Sequence, residues 1–215
     1  MTEILKAGSR AKDLVQRILA FSRRQTLERR VMSLQSVVDE SVRLLRATIP
    51  KGIELRVEVD PATPHVLADP TQLQQVLLNL SRNGIQAMEG DTPAGERLLV
   101  LAAELAEGGR RVEITVAEQG PGIPPELAQR LFTPFFSTRA EGLGLGLSLC
   151  RTVAEQHGGA LAFGPGPGGR GTAFGFTLPV ARVAAGEGTP GPAPRPAGGE
   201  SGDTSAPAAL SPTRP

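Results

Sequence analysis

Apolar positions recur with a helical period from the first residues. In residues 2–25, Ile4, Ala7, Ala11, Leu14, Ile18 and Phe21 alternate spacings of three and four, and Leu5, Val15 and Leu19 widen the stripe. So wide a seam asks for a partner helix, in a second copy, in another protein or in this chain's own domain. Arg23, Arg24, Arg29 and Arg30 then read as a solvated linker. Val31–Leu34 is a short strand, and Ser33 or Gln35 leads into a helix with Val38, Val42, Leu45 and Ile49 on its apolar face. Val37 and Leu44 flank that face, and the helix stops near Pro50. Ile53–Val59 alternates apolar and polar residues, the mark of a half-buried strand. A short strand at His65–Leu67 precedes Asp69, which caps a helix with Pro70 at its first position. That helix runs to Met88, with Leu73, Val76, Leu77, Leu80 and Met88 on one side and Gln72, Gln75, Asn79, Asn83 and Gln86 on the other.

Leu98–Leu105 and Val112–Ala117 are strands joined by a turn at Gly108-Gly109. Glu118–Ile123 is a tight loop, Pro125–Leu131 a short helix, and Phe132–Gly146 a weakly patterned, mobile segment. A helix opens at Gly146, reaches His157 and stops at Gly158-Gly159. Leu161–Phe163 and Thr172–Leu178 form a closing hairpin around a turn at 164–171. Helices and strands alternate, and the late strands are antiparallel neighbours. The expected fold is a two-layer α/β sandwich, one mixed sheet with helices on one face, preceded by a long helix. The chain divides into a helix and linker at 1–30, a folded domain at 31–180 and a Pro/Gly/Ala-rich tail at 181–215 that buries too little to fold.

Composition adds three points. Apolar residues make up 40% of the chain, but there are seven Phe and no Tyr or Trp, so the core is aliphatic. A net charge of +1 gives no argument for a nucleic-acid partner. The single cysteine, Cys150, cannot form a disulfide within the chain and reads as a small buried residue in a cytoplasmic protein. No apolar run is long enough to span a membrane.

Two stretches carry candidate chemistry. Gly142–Ser148 alternates glycine and leucine just before a helix. It is either a flexible turn or a phosphate cradle, where close backbone approach and a helix N-terminus meet an anion. Asn79 and Asn83 lie one helical turn apart, either as a satisfied amide pair or as neutral oxygens for Mg2+.

Together these residues carry a resemblance over about 31–180. Asp69–Met88 resembles the N box of the sensor histidine kinase ATP-binding domain, and Gly120-Pro121-Gly122-Ile123-Pro124 its first glycine box. Phe132–Thr138 resembles its F box and Gly142–Ser148 its second glycine box. Gln156–Gly159 and Gly171–Phe174 also match. The resemblance implies a GHKL (Bergerat) sandwich holding ATP and Mg2+ between the N-box helix and a mobile lid. It gives Mg2+ to Asn83 and places Asn79 beside the phosphates as the second catalytic position. Gly142, Leu143, Gly144, Leu145, Gly146 and Leu147 go to the lid over the phosphates, and Gly120, Gly122 and Ile123 to the adenine pocket. Phe135 and Phe136 pack as the lid hinge, with Thr138 after them, and Thr172 neighbours the adenine. Glu118 stands where the family usually has an Asp that binds the adenine amino group, which predicts weakened or altered adenine contact. Gly84 stands where the family usually has Ala, at a cost on the order of 1 kcal/mol in a helix interior.

Related GHKL ATPases, such as topoisomerases and mismatch-repair ATPases, carry a Glu one turn before the metal-binding Asn. Here that position is Asn79, and an amide cannot accept the proton. This argues against ATP hydrolysis and fits transfer to histidine, where catalysis is mainly positioning and charge neutralisation. The family's acceptor His precedes Glu or Asp on a helix ahead of the one read at 2–25. The chain has only His65 and His157, neither with an acidic follower. The resemblance therefore implies an incomplete protein histidine kinase of a two-component system. It would pass the ATP γ-phosphate to an acceptor hairpin outside this chain, act with a response regulator, and dimerise through residues 2–25. The alternatives are a nucleotide-binding regulatory module without kinase activity and a GHKL-type ATPase.

Overall fold

A computed structural model describes residues 27–90, 92–139 and 142–181. The periodic segment 2–25 and the tail from 182 onward lie outside the described residues. Strand β1 (Arg30–Met32) leads into helix α1 (Leu34–Thr48), β2 (Glu54–Val59), β3 (Val66–Ala68) and the long helix α2 (Pro70–Met88). Then come β4 (Leu98–Ala106), β5 (Arg111–Glu118), the one-turn helix α3 (Pro125–Ala128), α4 (Gly146–Gln156), β6 (Leu161–Pro165) and β7 (Thr172–Pro179).

The main sheet has the order β2-β4-β5-β7-β6. Only β2 and β4 run parallel; the other neighbours are antiparallel. The sheet is mixed, as expected. Its register builds rows of side chains on the face beneath α2. One row is Val59, Ala103, Ile114, Phe176 and Leu161; the next is Val57, Leu101, Val116, Phe174 and Phe163. The central members are buried, with Phe176 fully so. Each large apolar side chain moved out of water contributes about 1.5–3 kcal/mol, so these rows are a large part of the drive that lays the helices on the sheet.

The helices cover that face with their apolar stripes. Leu34, Val37, Val38, Ser41 and Leu45 of α1 are buried, whereas Leu44 is exposed and does not flank the core. The expected helix 125–131 is shorter than its pattern, ending at Ala128 and continuing as turns. On α2 the polar side is not wholly polar in environment. Gln72 is buried, because the first turn of the helix is tied down by its neighbours.

That tie is a compact network. Asp69 caps α2, its Oδ1 accepting from the backbone N–H of Thr71 at 3.0 Å and of Gln72 at 3.2 Å. Its Oδ2 accepts from the Glu28 N–H at 3.3 Å. The Asp69 N–H donates to His157 Nε2 at 3.0 Å, and His157 Nδ1 lies 2.8 Å from the Val153 carbonyl oxygen. A carbonyl only accepts, so the proton sits on Nδ1 and the ring is locked in one tautomer. The Arg29 guanidinium donates to the Gln156 carbonyl at the end of α4. A two-stranded ribbon, β1 antiparallel to β3, continues from this point, and Val66 also bridges to Val180.

Cys150 of α4 packs into the core against α2, fully buried, its Sγ 4.0 Å from the Val76 carbonyl oxygen. Burial pushes the thiol up to about 12, although a hydrogen bond with the Asn79 side chain pulls the other way. Among the described residues no helix is long and apolar enough to cross a membrane.

Replacing Asp69 with Ala removes the cap and costs about 1–2 kcal/mol. The expected loss in melting temperature is about 2–8 °C, read by thermal denaturation. Asp69→Asn, which still caps, loses less. Cys150 gives a second expectation. Below pH 9 the thiol is protonated in both folded and unfolded chains, so it contributes no pH dependence. Above pH 9 the unfolded chain ionises and the native one does not, so stability falls as pH rises from 9 towards 12. Denaturant melts at pH 8 and pH 10.5 should show the fall, reduced in Cys150→Ala. Alkylation of native Cys150 should be much slower than that of an ordinary thiol, since burial both keeps it protonated and shields it.

Candidate functional site

The row nearest the ends of β4 and β5 breaks the apolar pattern of the sheet. Leu55, Leu99, Glu118, Thr172 and Pro165 lie side by side. Glu118 and Thr172 are direct cross-strand partners, both 4% exposed. Antiparallel pairing of β5 with β7 thus brings together two residues 54 positions apart that the motifs had nominated separately. The backbone N–H of Gly120 donates to Glu118 Oε2, so the loop after β5 folds back over its own acid.

Thr172 and Pro165 of this row line a cavity of about 650 Å3, whose lining does not include Glu118. Gly120, Gly122, Ile123 and Thr172 line it, together with Thr92 and Phe163. Gly122 has φ +83°, a conformation that favours glycine, where the loop turns away from β5. The hairpin turn between β6 and β7 forms another wall through Arg170, whose guanidinium pairs with Glu96 at 2.6 Å. Both partners are half exposed, so this pair holds little energy. Thr92, Phe163 and Arg170 were not singled out from the sequence. Arg170 sits in a glycine-rich turn with no periodicity to mark it, and Phe163 reads as an ordinary strand residue.

Asn79 and Asn83 lie outside that lining, half-buried on α2. Asn79 meets Cys150 of α4, so the asparagine face of α2 adjoins the first turns of α4. The ladder of α4 begins with Leu149 N–H to Leu145 carbonyl at 3.0 Å. The amides of Gly146, Leu147 and Ser148 precede that ladder, as at any helix N-terminus.

The segment before α4 packs on the F box. Phe135 N–H donates to the Gly144 carbonyl at 2.9 Å. Gly144 has φ +65°, and a Cβ added there would fall 2.5 Å from Phe136 N, so only glycine permits this approach. Gly142 and Leu143 therefore lie against the F box and not over the cavity of Gly120 and Thr172. Arg139 reaches α2 through its guanidinium to Gln86 Oε1. The expectation that both phenylalanines pack is half met. Phe136 is half-buried, with the Arg130 guanidinium 4.3 Å from its ring centroid. Phe135 is 69% exposed at φ +64°, because the Gly144 contact fixes its backbone and turns its side chain out. Thr138 is exposed. Phe132 instead carries the packing: its ring lies 5.9 Å from Phe163, which lies 6.2 Å from Phe174, and Arg151 stacks on it at 4.0 Å.

Neither histidine is placed for chemistry at this site. His157 is buried in the Asp69 network, and His65 is exposed beside β3, its carbonyl accepting from the Ala181 N–H at 2.8 Å.

Residues 68–182 match the family of histidine kinase-, DNA gyrase B- and HSP90-like ATPases. The chain is 39% identical over 187 residues to the C4-dicarboxylate transport sensor protein DctS of Rhodobacter capsulatus, covering 84% of this chain and 27% of that protein. The chain thus spans about a quarter of the length of this relative. Its fold is similar to the catalytic domain of histidine kinase ThkA in a nucleotide-free form, at TM-score 0.61 and 34% identity, covering 71% of this chain and 95% of that one. ThkA in complex with the response regulator protein TrrA is matched at TM-score 0.66 and 31% identity, covering 83% of this chain and 49% of that one. Full-length ShkA in complex with AMPPNP is matched at TM-score 0.70 and 30% identity, over 84% of this chain and 38% of that one. Four ordered motifs, a mixed sheet carrying helices on one face and these relatives agree, and the chain belongs to the ATP-binding domains of sensor histidine kinases, within the wider family of histidine kinase-, DNA gyrase B- and HSP90-like ATPases.

Proposed function

We propose that this chain binds ATP with Mg2+ and supplies the catalytic half of a cytoplasmic two-component histidine kinase. The observation that carries the reading is the convergence of Gly120, Gly122, Ile123 and Thr172 on one cavity, two of which, Thr172 as cross-strand partner and Gly120 through its N–H, adjoin Glu118. A carboxylate with one oxygen on the Gly120 N–H keeps acceptor capacity for the amino group of adenine. The ShkA relative was solved with AMPPNP, an ATP analogue, which supports the same ligand here.

The phosphates would run from that cavity along α2 towards the start of α4. There the free amides of Gly146 and Leu147 and the positive end of the helix dipole favour an anion. Gly142, Leu143, Gly144 and Leu145 would leave the F box to close over them, with the Phe135–Thr138 segment as the hinge. The donor set on α2 is neutral amide oxygen, which suits Mg2+ shared with phosphate oxygens and water. Asn83 would hold the ion, with Asn79 beside it, and the ion when bound neutralises charge on the phosphates.

Asn79 leaves this face of α2 without a carboxylate to activate water, so transfer is favoured over hydrolysis. The acceptor is a histidine outside this chain, since His157 is locked in a structural network and His65 lacks an acidic follower. The ThkA complex with TrrA supports a response regulator as the downstream partner. Residues 1–30 would contribute a dimerisation helix and linker, and residues 31–180 the ATP-binding unit.

Incubating the full chain with γ-labelled ATP and a separate acceptor hairpin should place acid-labile label on the hairpin. Asn83→Ala should abolish the label and weaken Mg2+-dependent AMPPNP binding by more than about tenfold, measured by titration calorimetry. Binding without transfer would make the chain a regulatory module. Sustained phosphate release without label on the hairpin would make it an ATPase.

A further inference from the structure

Among the described residues Phe163 is the one aromatic side chain in the lining of the cavity. Pairing of β6 with β7 sets Phe163 opposite Phe174, and Pro165 opposite Thr172 in the next row. Phe163 therefore shares a sheet face with Thr172 and Pro165, which also line the cavity. It stands diagonal to Thr172, a separation that an aromatic ring can span. Its nearest neighbours in the row are closed off, Val116 at 2% and Phe174 at 7% exposed. Phe163 alone of these three is half-buried, and it is the one that reaches the cavity.

The ring is held by its neighbours before any ligand arrives. Phe132 lies 5.9 Å away at an interplanar angle of 59°, and Phe174 lies 6.2 Å away at 41°. Both are tilted contacts of the kind aromatic pairs favour. The Arg151 guanidinium, 4.0 Å from the centre of the Phe132 ring, ties this cluster to α4. A ring packed in this way has little freedom left to lose when a ligand meets it. The rest of the lining is mostly glycine and proline backbone, with the hydroxyls of Thr92 and Thr172. Such a cavity suits a flat ring with a polar edge, and a nucleobase has that shape, whereas a phosphate chain does not. Contact between an aromatic side chain and a base is favourable for every base, because each has a π-face.

We infer that Phe163 is a base-binding residue, its ring packing against the adenine of the bound nucleotide on the β6 side of the cavity. The inference rests on the reading of the cavity as an adenine pocket. It gives that pocket an apolar contact that needs no hydrogen bond. Phe163 thus sets how tightly the base is held, and the polar groups around it set which base is preferred.

The chain contains no Trp and no Tyr, so Phe163→Trp places its only indole at the cavity. With the full chain in Mg2+, ADP should quench the emission of Phe163→Trp, and tripolyphosphate, which has no base, should leave it unchanged. Titration calorimetry should show Phe163→Leu binding ADP about fivefold or more weakly than the parent chain, and Phe163→Tyr within about threefold of it. Thermal melts without nucleotide identify any variant that fails to fold. Phe163→Met then replaces Phe163→Leu, and the emission of Phe163→Tyr, the only tyrosine, replaces that of the indole, with the same outcomes deciding. Equal ADP affinity in Phe163→Leu and the parent, or equal losses in Phe163→Leu and Phe163→Tyr, would overturn the contact while leaving nucleotide binding intact. So would an emission that ADP leaves unchanged, or that tripolyphosphate changes as much as ADP does. A parent chain that binds neither ADP nor AMPPNP would remove the adenine pocket itself, and the role of Phe163 with it.

Discussion

The Asp69 backbone N–H and the His157 imidazole hold the start of α2 against the end of α4, and the site depends on that junction. α2 carries the two asparagines and α4 carries the glycine-rich turn at its opposite end. Their relative placement is set by one N–H to Nε2 hydrogen bond, one helix cap and the Cys150 contact between them. The Asp69 carboxylate also accepts from Glu28, and Arg29 reaches the last carbonyl of α4. The junction therefore also receives the chain as it enters the domain. A displacement of residues 28–32 would be felt at the cap of α2 before anything else.

Much of this was legible in the sequence, and for identifiable reasons. Asp69-Pro70 announces a helix start through local chemistry alone, and the cap is where it was expected. Period-two alternation located the strands to within a residue or two, because a half-buried strand has to alternate. The Gly158-Gly159 stop and the closing hairpin followed from turn chemistry. Leu44 was misplaced because a helix stripe has soft borders, and a leucine one position off the face reads like one on it. Phe135 and Phe136 were indistinguishable as letters; the backbone of Gly144 decides which of them turns inward.

What the sequence did not disclose is pairing. Alternation tells which residues share a face, but not which strand lies beside which. The row that joins Leu99, Glu118 and Thr172 needs the full register of β4, β5 and β7. Gly84 shows the same limit from the helix side. Propensity counts it as a loss of about 1 kcal/mol, a quantity local to α2. Its contact with Glu118 is tertiary, 34 positions away, and appears only once the helix is laid on the sheet. Arg170 and Thr92 escaped notice for a related reason, since both are cavity walls contributed by turns.

The two borders of the main sheet have a further consequence. Its outer strands are β2 and β6. On β2 every residue of the exposed set, Glu54, Arg56 and Glu58, is charged, and β6 ends in Gly164 and Pro165, where proline offers no N–H. Neither border is a template for an incoming strand, and both resist the edge-to-edge growth that leads to fibrils. A domain with such borders is steered to meet other molecules through helices and loops, where contacts are reversible and do not propagate.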